Sequence, residues 1–129
     1  MRHVGLVTLT LAALAGCAEQ QKLTQNTCVV EHGSGFADTS GNVERMTMAR
    51  NASPCVMYLS MGRDRGALNG EIVTLPQHGT ATVQPTPYGS QMTYTPAHDY
   101  VGRDMFRTAF GPNFDVTVQV SVVPLAGAP

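Results

Sequence analysis

The side chains with the richest chemistry in this 129-residue chain are three cysteines, four histidines and nine scattered carboxylates. A thiol can be acylated, paired, oxidised or bound to a metal, and its spacing from other ligands decides among these. Cys28 and Cys55 lie far apart, with no C-x-x-C spacing and no histidine pattern nearby, which argues for a disulfide over a redox dithiol or a zinc site. Such a bridge closes a loop of about 28 residues, worth roughly 3.6 kcal/mol by the chain-entropy estimate. Of the histidines, His98 adjoins Asp99, yet neighbours on an extended strand point to opposite faces, so His32, His78 and His98 read as surface residues. Calcium would need clustered carboxylates at D-x-D spacing, whereas Asp38, Asp64, Asp99 and Asp104 stand singly, with Asp99 and Asp104 the nearest approach to a pair. Ser34, His78 and Asp104 supply the letters of a hydrolase triad, but no G-x-S-x-G elbow accompanies them, and no phosphate-binding glycine loop occurs. The expectation is no catalytic residue, no metal and no cofactor.

Cys17 requires a different account. Arg2 supplies a short positive region, Val4 to Leu14 is apolar, and Ala15 and Gly16 are the small residues that precede a signal cleavage point. The apolar run is too short for a hydrocarbon core of about 30 Å, which takes roughly 20 helical residues. The quartet "LAGC" resembles the bacterial lipobox, in which the cysteine sulfur is acylated and becomes the mature N-terminus. The resemblance implies residues 1–16 as a lipoprotein signal peptide and Cys17 as the lipid attachment point. Several acyl chains of the palmitate class then hold the protein, since one chain binds only marginally. Ala18 in place of Asp implies the outer rather than the inner membrane. The competing account is an ordinary cleaved signal followed by an unmodified cysteine.

Removing residues 1–16 leaves seven basic against nine acidic residues, a net charge of −2. That balance offers no basic stripe for nucleic acid. Charged residues make up only 13% of the chain, while 13 Gly and 8 Pro suit strands joined by turns. Residues 18–27, "AEQQKLTQNT", are polar and without period, so 17–27 forms a lipidated tether; 124–129, "PLAGAP", is a frayed tail.

The elements that must position these side chains are strands. In "NFDVTVQVSVV", Phe114, Val116, Val118, Val120 and Val122 share one face, and Asp115, Thr117, Gln119 and Ser121 share the other. "DMFRTAF" sets Phe106, Thr108 and Phe110 against Met105, Arg107 and Ala109, and "GPN" joins the two runs as a hairpin. "NVERMTMA", "PCVMYLSM", "GEIVTLP", "GTATVQP" and "SQMTYTP" complete seven short strands separated by turn residues, the pattern of an all-β sandwich over 28–123. Residues 29–42 and 62–69 are rich in Gly, Asp and Ser and read as surface loops. The methionines at 46, 48, 57, 61, 92 and 105 fall at strand spacing, which favours core filling over a copper site or an adaptable surface.

From Pro76 onward the chain reads "PQHGTATVQPTPYGSQMTYTPAHDYVGRDMFRTAF", then "FDVTVQVSV". Pro76, Gly79 and Thr80, then Tyr94, Thr95 and Pro96, then Tyr100, Gly102, Asp104 and Phe106 resemble the pattern of bacterial Ig-like and cadherin-like domains of exported proteins. The match covers about residues 70–123; the half holding Cys28 and Cys55 matches only loosely. The resemblance implies an Ig-like Greek-key β-sandwich and no particular activity. The residues carry structural roles of their own: Gly79 for positive φ at a tight strand entry, Pro96 as a strand end, Tyr94 and Phe106 as filler between sheets, Gly102 as a turn, and Asp104 as acceptor of local amides.

The resulting expectation is an envelope-anchored lipoprotein whose sandwich acts as a non-catalytic binding or structural module. Its partners are the membrane through the lipid and another envelope protein or surface polymer, reached by an edge strand or by the two loops. A small periplasmic inhibitor or carbohydrate-binding accessory is the alternative.

Overall fold

The computed structural model describes residues 27–33, 41–60, 62 and 65–125. Cys17, the signal segment and all of the tether but Thr27 lie outside the described residues, as do 34–40 and 126–129. The fold is all-β, and no helix occurs among the described residues. Eight strands form: β1 Cys28–His32, β2 Asn42–Ala49, β3 Cys55–Ser60, β4 Glu71–Thr74, β5 Gly79–Thr86, β6 Gly89–Pro96, β7 Gly102–Ala109 and β8 Asp115–Val123.

They assemble into a five-stranded sheet, ordered β1-β2-β8-β7-β4, and a three-stranded sheet, ordered β3-β6-β5. Every pairing is antiparallel except β2 with β8, which run parallel in register from Asn42↔Val116 to Ala49↔Val123. Three consecutive antiparallel pairs, β1–β2, β5–β6 and β7–β8, stay within a sheet, and the connections β2 to β3, β3 to β4, β4 to β5 and β6 to β7 cross from one sheet to the other. The expected seven strands are therefore eight. The stretch 29–42 is not all loop, because its first residues pair with β2 as β1, from Cys28↔Met48 to His32↔Glu44.

Alternation along the strands decides what is buried. Val116, Val118, Val120 and Val122 of β8 face inward, with Phe106 of β7, Met46 and Met48 of β2, Met57 and Leu59 of β3, and Met92 and Tyr94 of β6. Each such side chain contributes roughly 1.5–3 kcal/mol by leaving water. Tyr94 and Phe106, both fully buried, lie parallel with ring centroids 6.1 Å apart and so fill the gap between the sheets. Met105 departs from the methionine pattern. It points outward from β7 and is 40% exposed.

The Cys28–Cys55 disulfide is formed, with Cα atoms 5.7 Å apart. It joins β1, at one edge of the larger sheet, to β3, at one edge of the smaller. One lateral side of the sandwich is thereby closed covalently.

Candidate functional site

The residues of the C-terminal pattern converge at one end of the sandwich, around Asp104. The phase of β7 turns this carboxylate toward the interior, where it is partly buried. Oδ1 accepts the amides of Gln77 and Met105, both at 2.9 Å. Oδ2 accepts the His78 amide and the Tyr94 hydroxyl, both at 2.8 Å. Asp104 was expected to serve its own turn. It keeps one local amide, that of Met105, and otherwise reaches across to the turn between β4 and β5, more than twenty residues away, and fastens the two sheets at that end.

The electrostatics follow from these contacts. Burial acts to raise the Asp104 pKa, but the Gln77 and His78 amides, the Tyr94 hydroxyl and the Met105 amide outweigh it, so the carboxyl sits below the usual aspartate range. Burial pushes the Tyr94 hydroxyl well above the ordinary tyrosine value, and the Asp104 carboxylate adds to the shift. Neither group is poised to exchange a proton near neutrality.

The neighbouring residues complete the fastening. Tyr100 stacks on the His78 ring, centroids 4.1 Å apart and nearly parallel, and its hydroxyl donates to the Arg103 carbonyl. Pro76 lies in the same turn, and Pro96 closes β6. Gly79 has no positive φ, contrary to expectation. Its requirement is space, since a Cβ there would overlap the Thr95 carbonyl and lie 2.6 Å from the Tyr94 hydroxyl. Gly102 does need its conformation, with φ of +144° and the Tyr100 hydroxyl 2.7 Å from where a Cβ would stand.

The remaining sequence candidates are placed apart. Asp99 and Asn51, both at positive φ, exchange hydrogen bonds: the Asn51 amide donates to Asp99 Oδ1 at 2.9 Å, and Asn51 Oδ1 accepts the Asp99 amide at 2.8 Å. The Asn51 bond, with His98 beside it at 3.2 Å, holds the exposed Asp99 carboxyl below its usual range. Asp99 and Asp104 are thus each committed to a different partner and do not form a calcium pair. Among the described residues no three His, Cys, Asp or Glu side chains gather as metal ligands. His78 meets Asp104 through its backbone amide rather than its ring, and Ser34 lies outside the described residues.

Two surface features emerged only in the folded chain. The outer face of the larger sheet carries a depression of about 480 Å³ bounded by Arg45, Thr47, Arg103, Gln119 and Ser121. Beside it, Leu75 at 73% exposure, Val73 at 45% and Met105 form an apolar strip along β4 and β7, with a shallower hollow of about 270 Å³ between Leu75 and Met105. The signal for both lies in cross-strand register, which brings residues distant in sequence side by side. Inside, Glu44 is buried on β2, and its Oε2 is 2.8 Å from Nδ1 of the half-exposed His32.

Compared with known proteins, the chain matches no family model, no curated protein and no solved structure.

Proposed function

We propose that this protein is a lipid-anchored component of the bacterial cell envelope, held through Cys17, whose Ig-like Greek-key sandwich is a non-catalytic module for binding another envelope protein. The Ig-like reading is supported by strand order: β3-β6-β5 follows the B-E-D layout, β4-β7-β8 follows C-F-G, and the parallel β2 lies along the last strand. The envelope reading is supported by the lipobox-like quartet and by a disulfide suited to an oxidising compartment.

The observation that carries the binding role is the apolar strip made by Val73 on the edge strand β4, Leu75 just past its end and Met105 on the neighbouring β7. A strand edge leaves backbone donors and acceptors open to a partner, and exposed aliphatic side chains beside it give that partner something to bury. A photo-crosslinking residue at position 75 is expected to capture an envelope protein in living cells, and the same residue at Tyr58, on the other sheet, is not. An absence of adducts at 75 would remove the binding role. Cys17→Ala is expected to release the protein from the membrane fraction, and retention there would remove the lipid anchor.

A further inference from the structure

The depression on the outer face of the five-stranded sheet adjoins the apolar strip, sharing Arg103 with its hollow, but its polar and cationic lining gives it its own chemistry. In register, Arg103 of β7 stands opposite Ser121 of β8, which stands opposite Thr47 of β2. One row along, Gln119 of β8 stands opposite Arg45 of β2. The two arginines therefore flank β8 diagonally, with Cα atoms about 12 Å apart from strand spacing and rise. The hydroxyls of Thr47 and Ser121 and the Gln119 amide lie between them as a floor.

These groups are available. Among the described residues, neither guanidinium makes an ion pair, and none of the three floor side chains has a hydrogen bond within the chain. Other charges on this face are Arg107, Asp115, Glu31 and Glu71, the last at the far edge on β4. The Asp104 carboxylate at the border of the depression turns inward to its four donors. Arg107 and Asp115 neutralise one another at 3.3 Å, and Glu31, in register with Arg45, forms no ion pair with it. In a chain of net negative charge, the two free guanidinium forks mark this face for an oxyanion.

The floor narrows the class. A bare phosphate would be met by donors alone, whereas two hydroxyls and a carboxamide offer donors and acceptors together. A ligand that uses both is an oxyanion attached to a ring of hydroxyls, and about 480 Å³ falls in the size range of small-ligand sites. We infer that Arg45 and Arg103, with Thr47, Gln119 and Ser121, form a binding site for an acidic saccharide, a sugar bearing a carboxylate or a phosphate. This goes beyond the protein-binding role and does not rest on it or on the lipid anchor.

The test is calorimetric titration of the full-length chain with glucuronic acid and glucose 6-phosphate, with glucose and inorganic phosphate as comparison ligands. At least one acidic sugar is expected to bind saturably and to weaken as salt rises. Arg45→Gln and Arg103→Gln are each expected to weaken that binding about tenfold, the scale of one charge-assisted hydrogen bond. Thr117→Val, on the same face outside the depression, is expected to leave it unchanged. Both arginines are exposed, so circular dichroism of the variants should match that of the parent. Three results would overturn the inference: no saturable binding by either acidic sugar, glucose or inorganic phosphate binding as tightly as the best acidic sugar, or unaltered affinity in both arginine variants. The crosslinking outcome at position 75 is independent of all three.

Discussion

Asp104→Ala tests the reasoning about the sandwich end most directly. The substitution removes the acceptor of four hydrogen bonds and leaves the strand phase intact. The Gln77, His78 and Met105 amides belong to exposed residues, where water takes the carboxylate's place, so each loss is put at about 0.5 kcal/mol. The Tyr94 hydroxyl costs more because its residue is buried. It retains the His78 carbonyl at 3.3 Å as a second acceptor, which limits the loss to about 1.5 kcal/mol. Together these give about 3 kcal/mol, or a fall in Tm of about 12–24 °C for a domain of this size. The chain has no tryptophan, so urea unfolding is best followed by far-UV circular dichroism with the disulfide intact. Acid supplies a second reading. The folded-state pKa of Asp104 is depressed, so its contribution is complete above the unfolded value of about 3.9 and is lost as pH falls through the lower folded value. The gap between parent and variant should therefore be widest near neutrality and close below about pH 3.9. Asp99 also titrates low but is common to both proteins and cancels. A gap under about 1 kcal/mol at neutral pH, or one that acid leaves unchanged, would refute the clamp.

Two further outcomes follow from the core and the staple. Phe106→Ala should lower stability by about 3–5 kcal/mol in the same urea assay, because its ring is fully buried against Tyr94; a near-neutral result would mean that β7 is out of phase. Reducing the Cys28–Cys55 bridge should cost about 3.6 kcal/mol, and both thiols should resist alkylation until reductant is added; free thiols before reduction would contradict the bridge.

Much of the fold was legible in the sequence because period-two alternation is a local signal. The β8 run identified its own inner face, and "DMFRTAF" placed Phe106 and Thr108 inside as observed. β1 was missed because "CVVEH" is five residues long, has no alternation and runs into a Gly- and Ser-rich stretch. The signal that could have found it is Cys28, since a cysteine bridged to Cys55 has to pack against the strand that holds Cys55. Glu44 shares the phase of Met46 and Met48, so the alternation already required a buried glutamate. The partner that makes this tolerable, His32, lies on the strand that went unrecognised. Asp104 was identified as an acceptor, but its partners were not legible. They depend on how the chain passes from β4 in one sheet to β5 in the other, a tertiary fact with no local sequence signature.

The same geometry explains why stability and binding should separate in this protein. The elements that hold the sheets together are the valine and methionine interior, the disulfide on one lateral side and the Asp104 clamp at one end, and all of them lie between the sheets or at their margins. Arg45, Arg103 and Gln119 face outward from strands whose other faces are already buried, and their side chains hold no partner among the described residues. Long charged side chains kept extended from a sheet without partners add little to folding. Substituting them therefore removes cationic donors from the surface and leaves the interior in place, so a change in ligand affinity can be read without a change in fold. Asp104 is the exception to this division. It borders both hollows while fastening the end between them, so a ligand or partner seated on either side would rest against the most constrained part of the structure. A site set on rigid strands loses little conformational entropy on binding, which favours specificity on an otherwise open face.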